Sequence, residues 1–165
     1  MGLMAVYRAQ AHLDAPLDDV WALVGNPATY PEWWPVAVEI RGETFEVGDV
    51  FTQVVGIAGR RLEYTRVIDC RDEFKELRWH CPTTGGSQHW LLTEAQGGTF
   101  VDMEMGIDAP SLKYGLFEKT AGRWYIKRWA DQAIDGLRRS LTAARVPRVP
   151  DQAPAPAAEA PPPAR

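Results

Sequence analysis

The sequence lacks several features that would assign it to a broad class of protein. No apolar run approaches the ~20 residues that a membrane-spanning helix needs, and residues 1–12 lack the apolar core of a secretory signal. No cluster of lysine and arginine is long enough to form a nucleic-acid-binding stripe, and the formal net charge is -4. We therefore expect a cytoplasmic protein that neither inserts stably into a membrane nor binds nucleic acid.

Cysteine and catalytic motifs are scarce as well. Cys70 and Cys81 are the two cysteines, and the hairpin turn expected at residues 71–75 would place Cys81 opposite residue 65, so we predict no disulfide. The chain has no phosphate-binding loop, no dinucleotide fingerprint and no GxSxG nucleophile motif. The motifs therefore predict no catalytic residue, no metal site and no cofactor.

What the sequence does contain is a clear order of secondary-structure patterns. A strand at residues 6–13 is followed by a helix that starts at 14–16 and ends at 25–27, and by a short helix or turn at 28–34. Six strand patterns with short, glycine-containing connections then precede one long helix; they lie at residues 36–40, 50–55, 60–70, 76–81, 87–94 and 99–107. This order predicts an α+β fold in which a curved antiparallel sheet of about seven strands wraps a long C-terminal helix, with two short helices after the first strand.

The long helix, expected over residues 111–145, carries an apolar stripe with a defect. One face holds Leu112, Leu116, Ile126, Ala130, Ile134, Leu137, Leu141 and Ala144. Lys119 and Arg123 interrupt the N-terminal half of that stripe. We interpret the defect as one end of the helix facing a lined cavity instead of solid core.

The C-terminal segment differs from the rest of the chain. Residues 147–165 contain seven prolines and six alanines, a composition that cannot bury a core. We predict one domain over residues 1–146 and a disordered Pro/Ala-rich tail over 147–165. A role of this tail as a tether in a protein-interaction module remains an alternative, and no protein partner can be named.

Strand pairing assigns the two faces of the sheet. We expect Trp79 opposite Trp90, His80 opposite His89, and His89 opposite Glu104. One face then carries Leu77, Trp79, Cys81, Trp90, Leu92, Val101, Met103, Met105 and Ile107. The other carries Arg78, His80, His89, Thr93, Asp102 and Glu104. The apolar face is expected to lie against the long helix.

Two polar features have competing interpretations. Arg66 shares a face with Leu62, Tyr64, Ile68 and Cys70, and an inward cation is costly without a partner. It is either the polar anchor of a ligand pocket, or the sign of a slipped register, a bulge or an ion pair to a core acid.

The second feature is a row of two imidazoles and a carboxylate. His80, His89 and Glu104 would suit zinc or non-haem iron. The predicted register places them on the solvated convex face, which favours a polar surface ladder instead.

Aromatic and methionine side chains give the strongest indication of function. They favour an adaptable apolar binding site for a small hydrophobic molecule over a plain aromatic core. The predicted ligand-binding residues are Tyr30, Trp33, Trp34, Tyr64, Arg66, Trp79, Trp90, Met103, Met105, Phe117, Arg123 and Trp124. We expect Tyr30, Trp33 and Trp34 near the entrance of the site, and Arg66, Tyr64 or Arg123 to orient a polar group of the ligand.

Three segments resemble the START-like superfamily, which includes polyketide cyclases/dehydrases and lipid-transfer domains. They are DAPLDDVWALVGNPATYPEWWPVAVEI at residues 14–40, GGTFVDMEM at 97–105, and AIDGLRRSL in the last helix. The resemblance implies a helix-grip fold around a deep hydrophobic cavity that binds lipids, sterols or polyketides. It also implies an alternative, a polyketide cyclase or dehydratase that uses the same cavity for general acid/base catalysis, and it transfers no catalytic residue.

Overall fold

The computed structural model describes residues 5–107 and 122–145. Its strands are β1 (Ala5–Leu13), β2 (Ala37–Arg41), β3 (Val50–Ile57), β4 (Arg60–Asp72), β5 (Glu76–His80), β6 (Gly86–Ala95) and β7 (Gly98–Ile107). Its α-helices are α1 (Leu17–Val24), α2 (Tyr30–Trp33) and α3 (Arg123–Arg145), with a 3-10 turn at Pro27–Thr29. The strands form one antiparallel sheet in the order β1-β7-β6-β5-β4-β3-β2. The predicted α+β, helix-grip architecture is confirmed.

The long helix is described over its C-terminal part. Residues 111–121, including Leu112, Leu116 and Lys119 of the predicted stripe, lie outside the described residues. Within α3 the stripe is buried as expected at Ile126, Ala130, Ile134, Leu137 and Leu141. Ala144 is exposed, contrary to the prediction, because it lies in the last turn of the helix.

The register of the last three strands decides which side chains face α3. Between β6 and β7 the predicted pairing is confirmed, since His89 lies opposite Glu104 and Trp90 opposite Met103. Between β5 and β6 the prediction is wrong by two residues, because Trp79 lies opposite Gln88 and Leu77 opposite Trp90. A shift of two residues leaves every side chain on its face. The predicted apolar side chains are accordingly buried at Leu77, Trp79, Cys81, Trp90, Leu92, Val101, Met103 and Met105.

A register shift in β4 changes the face of one cysteine. Ile68 pairs with Trp79, but Cys70 pairs with Arg78, so Asp69 is an extra residue in this strand. A bulge of this kind reverses the alternation of the side chains that follow. Cys70 therefore lies on the convex face with Arg78, and the expectation that it shares a face with Arg66 is wrong.

One glycine allows α3 to cross α2 closely. A Cβ built on Gly136 would lie 1.9 Å from the carbonyl oxygen of Trp33. The two backbones could not approach in this way with a larger residue at that position. This contact fixes the C-terminal half of α3 against the aromatic segment that follows α1.

Candidate functional site

The concave face of the sheet carries a group of polar side chains between β3 and β6. We call Gln53, Tyr64, Arg66, Cys81 and Gln88 the Arg66 cluster. Arg66 is 8% exposed, and its Nε donates a hydrogen bond of 3.0 Å to Oε1 of Gln53. It pairs in register with Phe51, so the strand is not slipped. No carboxylate of the described residues forms an ion pair with Arg66, which leaves a buried cation held by a neutral amide.

Aromatic rings frame the guanidinium. Its Cζ lies 5.1 Å from the ring centroid of Tyr64 and 4.6 Å from that of Trp79, within the range of cation–π attraction. Burial lowers the pKa of Arg66 to about 10, while the neighbouring Cys81 and Tyr64 act in the opposite direction. Arg66 is therefore charged at neutral pH, and it is available to stabilise negative charge on a bound molecule.

Cys81 follows β5 and lies beside Arg66. Its Sγ is 3.2 Å from Oγ1 of Thr83. Burial raises the pKa of this thiol, but hydrogen bonds from the side chains and backbone of Thr83 and Thr84 outweigh it and lower the pKa to about 7. A substantial fraction of Cys81 is therefore thiolate at neutral pH.

Several buried polar atoms on this face have no hydrogen-bond partner among residues 5–107 and 122–145. They are Nε1 of Trp79, Nε1 of Trp90 and both amide atoms of Gln88. Burial raises the pKa of the Tyr30 hydroxyl, and the nearby indole N–H groups of Trp79 and Trp90 oppose that rise. Because the two indoles have this hydroxyl beside them, Gln88 is the clearer case of an unpaired polar group. It is 0% exposed and lies directly opposite Trp79 on β5 and Met105 on β7. Unpaired buried polar groups are rare in folded proteins, and a ligand that carries its own polar atoms is one physical explanation.

The structure brings together half of the predicted site residues. Those that share the concave face are Tyr64, Arg66, Trp79, Trp90, Met103 and Met105. Sequence reasoning missed Gln53, Gln88 and Cys81 as members of the same group. Strand alternation contained the signal for Gln88, because it lies two residues before Trp90 and therefore shares its face.

Tyr30, Trp33 and Trp34 lie in the core instead of at an exposed entrance. All three rings are buried, and Trp33 meets Trp90 edge to face at 6.1 Å. Their polar atoms are satisfied within the chain. The Tyr30 hydroxyl donates to the carbonyl of Val24 at 3.0 Å, Trp33 Nε1 to Thr29 Oγ1 at 3.1 Å, and Trp34 Nε1 to the carbonyl of Trp129 at 3.1 Å.

The remaining predicted residues lie elsewhere. Arg123 is exposed, and Trp124 is 55% exposed at the start of α3. Trp124 lines an open cleft of about 310 Å³ between α3 and the β3–β4 hairpin, together with Pro35, Ile57, Ala58, Trp129 and Gln132. Phe117 lies outside the described residues.

Each histidine of the row on the convex face lies beside a carboxylate. His80 Nδ1 lies 2.8 Å from Asp69 Oδ1, and His89 Nε2 lies 2.9 Å from Glu76 Oε1. His80 pairs in register with Ser87, so the expected alignment of His80 with His89 is wrong. Within residues 5–107 and 122–145, no group of three His, Cys, Asp or Glu side chains could hold a metal ion.

Both cysteines are free thiols. In the ranges that the structure describes, no helix is both long enough and apolar enough to span a bilayer.

Comparison with protein families gives one match over most of the chain. Residues 4–142 match the family model described as polyketide cyclase / dehydrase and lipid transport. No curated protein sequence matches the chain.

Solved structures share the fold at low sequence identity. The protein TTHA0849 from Thermus thermophilus is 16% identical with a TM-score of 0.71, covering 86% of this chain and 99% of that one. A START superfamily protein from Mycobacterium smegmatis is 12% identical with a TM-score of 0.66, covering 84% and 98%. The Zhui aromatase/cyclase from Streptomyces sp. R1128 is 16% identical with a TM-score of 0.62, covering 86% and 98%. At these identities the likeness shows the fold alone.

Proposed function

This chain belongs to the polyketide cyclase/dehydrase and lipid transport family, and from that premise we propose that it binds a small hydrophobic molecule on the concave face of its sheet. The ligand carries at least one polar oxygen, as a carbonyl, hydroxyl or carboxylate group. The protein acts as a carrier or store of that molecule in the cytoplasm, where the two free thiols of Cys70 and Cys81 would stay reduced.

The observation that carries this proposal is the buried guanidinium of Arg66. A cation without a carboxylate is unfavourable in an apolar setting, and its neutral partner Gln53 satisfies one of its five N–H donors. Cys81 is a second hydrogen-bonding neighbour of the guanidinium, and a ligand oxygen would accept from a further N–H donor of Arg66. Gln88 supplies a further unpaired donor and acceptor on the same face.

The apolar side chains around the cluster would supply most of the affinity. Trp79, Trp90, Met103 and Met105 are adjacent on β5, β6 and β7. Burial of apolar ligand surface contributes roughly 25 cal/mol per Å² before the costs of ordering the ligand. The polar cluster would then decide the orientation of the ligand more than the strength of binding.

Tryptophan fluorescence tests this proposal. The protein is titrated with fatty acids, sterols and aromatic polyketides, and we expect quenching or a spectral shift from Trp79 and Trp90 with at least one class. The Trp124→Phe variant serves as a control, because it removes the signal of an exposed tryptophan. No spectral change with any ligand class, in either protein, would overturn the proposal.

A second candidate function is supported by the titratable neighbours of Arg66. Cys81 and Tyr64 both act on the charge of this arginine, so an acid/base group and a cation lie in one apolar site. This arrangement suits a polyketide cyclase or dehydratase, in which Arg66 would polarise a ligand carbonyl while Cys81 or Tyr64 transfers a proton. Incubation with a poly-β-keto thioester tests it; loss of water, seen by mass spectrometry, would support catalysis, and unchanged substrate would favour binding alone.

A further inference from the structure

The sulfur of Cys81 lies between a turn that donates hydrogen bonds and a buried cation. The β5–β6 connection is closed by hydrogen bonds from Cys81 N–H to the carbonyl of Gly86 at 2.6 Å and from Gly85 N–H to the carbonyl of Cys81 at 2.9 Å. Thr83 and Thr84, inside this turn, hydrogen-bond the sulfur. These contacts fix the thiol on the concave side of the sheet.

Gly86 lies close to both the Arg66 guanidinium and Cys81. A Cβ built on Gly86 would lie 3.5 Å from Nη1 of Arg66 and 4.0 Å from Cβ of Cys81. The guanidinium of Arg66 therefore extends from β4 across the end of β5 towards β6. A side chain at position 86 would fill the region between the cation and the thiol.

A second observation at this place indicates a bound molecule. Gln88 follows Gly86 on the same face of β6 and is wholly buried. Neither of its two amide atoms has a hydrogen-bond partner within the part of the chain that the structure describes. A carbonyl group that accepts from the Gln88 amide would satisfy a donor that the described residues leave unpaired.

We propose that Cys81 is the nucleophile of a covalent binding site for α,β-unsaturated carbonyl compounds. This inference rests on the proposed function, since the compound must first enter the apolar site. The Sγ thiolate forms a bond to the β-carbon of the ligand, and the π electrons of the carbon–carbon double bond move towards the carbonyl to give an enolate. Arg66 stabilises the negative charge on the enolate oxygen. The α-carbon then takes a proton from water, so the net step adds a thiol across a double bond and needs no oxidant.

Cys70 provides a matched control within the same chain. It lies on the convex face, where burial and the nearby Glu76 carboxylate raise the pKa of its thiol. Hydrogen bonds lower the pKa of Cys81 to about 7 against the effect of its burial. Because the thiolate is the reactive form, Cys81 should react and Cys70 should not, although Cys81 is the more deeply buried of the two.

The experiment treats the full chain with benzylideneacetone, an apolar enone, and locates adducts by intact-mass and peptide mass spectrometry. We expect one adduct, on Cys81, with a rate that rises with pH through a midpoint near 7. The Cys70→Ser variant should react at the rate of the parent protein, and Cys81→Ser or Cys81→Ala should form no adduct. Equal labelling of both cysteines, or none of Cys81, would overturn the inference.

The Arg66→Met variant tests the role of the cation. We expect its adduct to form more slowly, because the enolate oxygen loses the cation that stabilises its negative charge. An unchanged rate would contradict the proposed arrangement.

Benzylacetone, the saturated analogue, separates the two proposals. Its binding is followed by tryptophan fluorescence. If it binds while the enone forms no adduct, the covalent inference fails and the proposed function stands. If neither compound changes the fluorescence or the mass, both fail for this ligand class.

Discussion

Nε of Arg66 donates its hydrogen bond to Oε1 of Gln53, so a cation inside the protein is held by a neutral amide. Arg71, also largely buried, is held differently. It bonds the carbonyl of Gly25 at 2.6 Å and the carboxylate of Glu73 at 2.7 Å. The contrast separates an arginine that is paired with a carboxylate from one that is held by neutral groups.

Removal of the positive charge should change the free energy of unfolding differently at Arg66 and at Arg71. We expect the double variant Gln53→Leu/Arg66→Met to change the free energy of unfolding by less than about 1 kcal/mol or to raise it, because replacing a buried polar pair by apolar groups is often neutral or stabilising. Arg71→Met should lower it by about 2–4 kcal/mol, since charged hydrogen bonds are lost and partners remain. Urea unfolding measures both. Equal losses in the two proteins would contradict the distinction.

Asp102, on the convex face, should make the free energy of unfolding depend on pH in the acid range. The hydrogen bond from Arg8 is the main cause that lowers the pKa of Asp102, burial opposes it, and Gln10 adds a hydrogen bond at 3.0 Å. Because the pKa of Asp102 is lower in the folded protein than in the unfolded chain, its ionised carboxylate stabilises the fold. This stabilisation is complete above the unfolded pKa of about 3.9, and it is lost as the pH falls through the folded pKa.

The measurement compares Asp102→Asn with the parent protein by urea unfolding between neutral pH and acid. The parent should be the more stable near pH 6, and the difference should shrink on acidification. Glu94→Gln, at an exposed position, controls for the loss of one carboxylate. A difference that is independent of pH would contradict this account.

The sequence contained enough information to predict the faces of the sheet. The period-two patterns of β6 and β7 placed Trp90 and Met103 on one side. The error in the β5–β6 register was two residues, which kept Leu77 and Trp79 on that side as well. The same pattern put Arg66 on the inward face, with a slipped register or a bulge as open alternatives. Its neutral partner could not be predicted, because Gln53 lies on the neighbouring strand β3, opposite Tyr64, and has no sequence signature.

Other features depended on details that a single sequence does not carry. The extra residue at Asp69 moved Cys70 to the convex face, and a bulge in a strand has no reliable composition signal. Tyr30 was expected near an entrance, yet its hydroxyl bonds the carbonyl of Val24 inside the core. The aromatic composition did not indicate which of these rings pack in the core and which contact a ligand.

Gly136 should not tolerate alanine. In the interior of an ordinary helix this change stabilises by about 0.5–1 kcal/mol, but here the new Cβ would lie 1.9 Å from the carbonyl oxygen of Trp33. We expect Gly136→Ala to lower the free energy of unfolding by about 1–3 kcal/mol. Ser140→Ala, one turn later in α3, is the control and should be nearly neutral. A more stable Gly136→Ala protein would show that the helices can separate without cost.

The β3–β4 turn should be improved by substitution at Ala58. Ala58 and Gly59 have φ values of 49° and 76°, a left-handed pair typical of a two-residue hairpin. Asparagine tolerates this conformation better than alanine, so Ala58→Asn should raise the free energy of unfolding by about 0.5–1 kcal/mol. Ala58→Val, with a branched side chain, should lower it. Thermal unfolding measures both, and a change of the same sign in the two variants would contradict the strain at this turn.

The most direct test of the account is whether Arg66 recognises a ligand oxygen. Acetylnaphthalene and ethylnaphthalene have nearly the same shape, and only the first carries a carbonyl group. Their dissociation constants are measured by tryptophan fluorescence for the parent protein and for Arg66→Met. We predict that the parent prefers the ketone by roughly 10- to 100-fold, the value of a hydrogen bond to a charged group, and that Arg66→Met binds both equally. An unchanged preference in the variant, or no binding of either compound to the parent, would contradict the central claim.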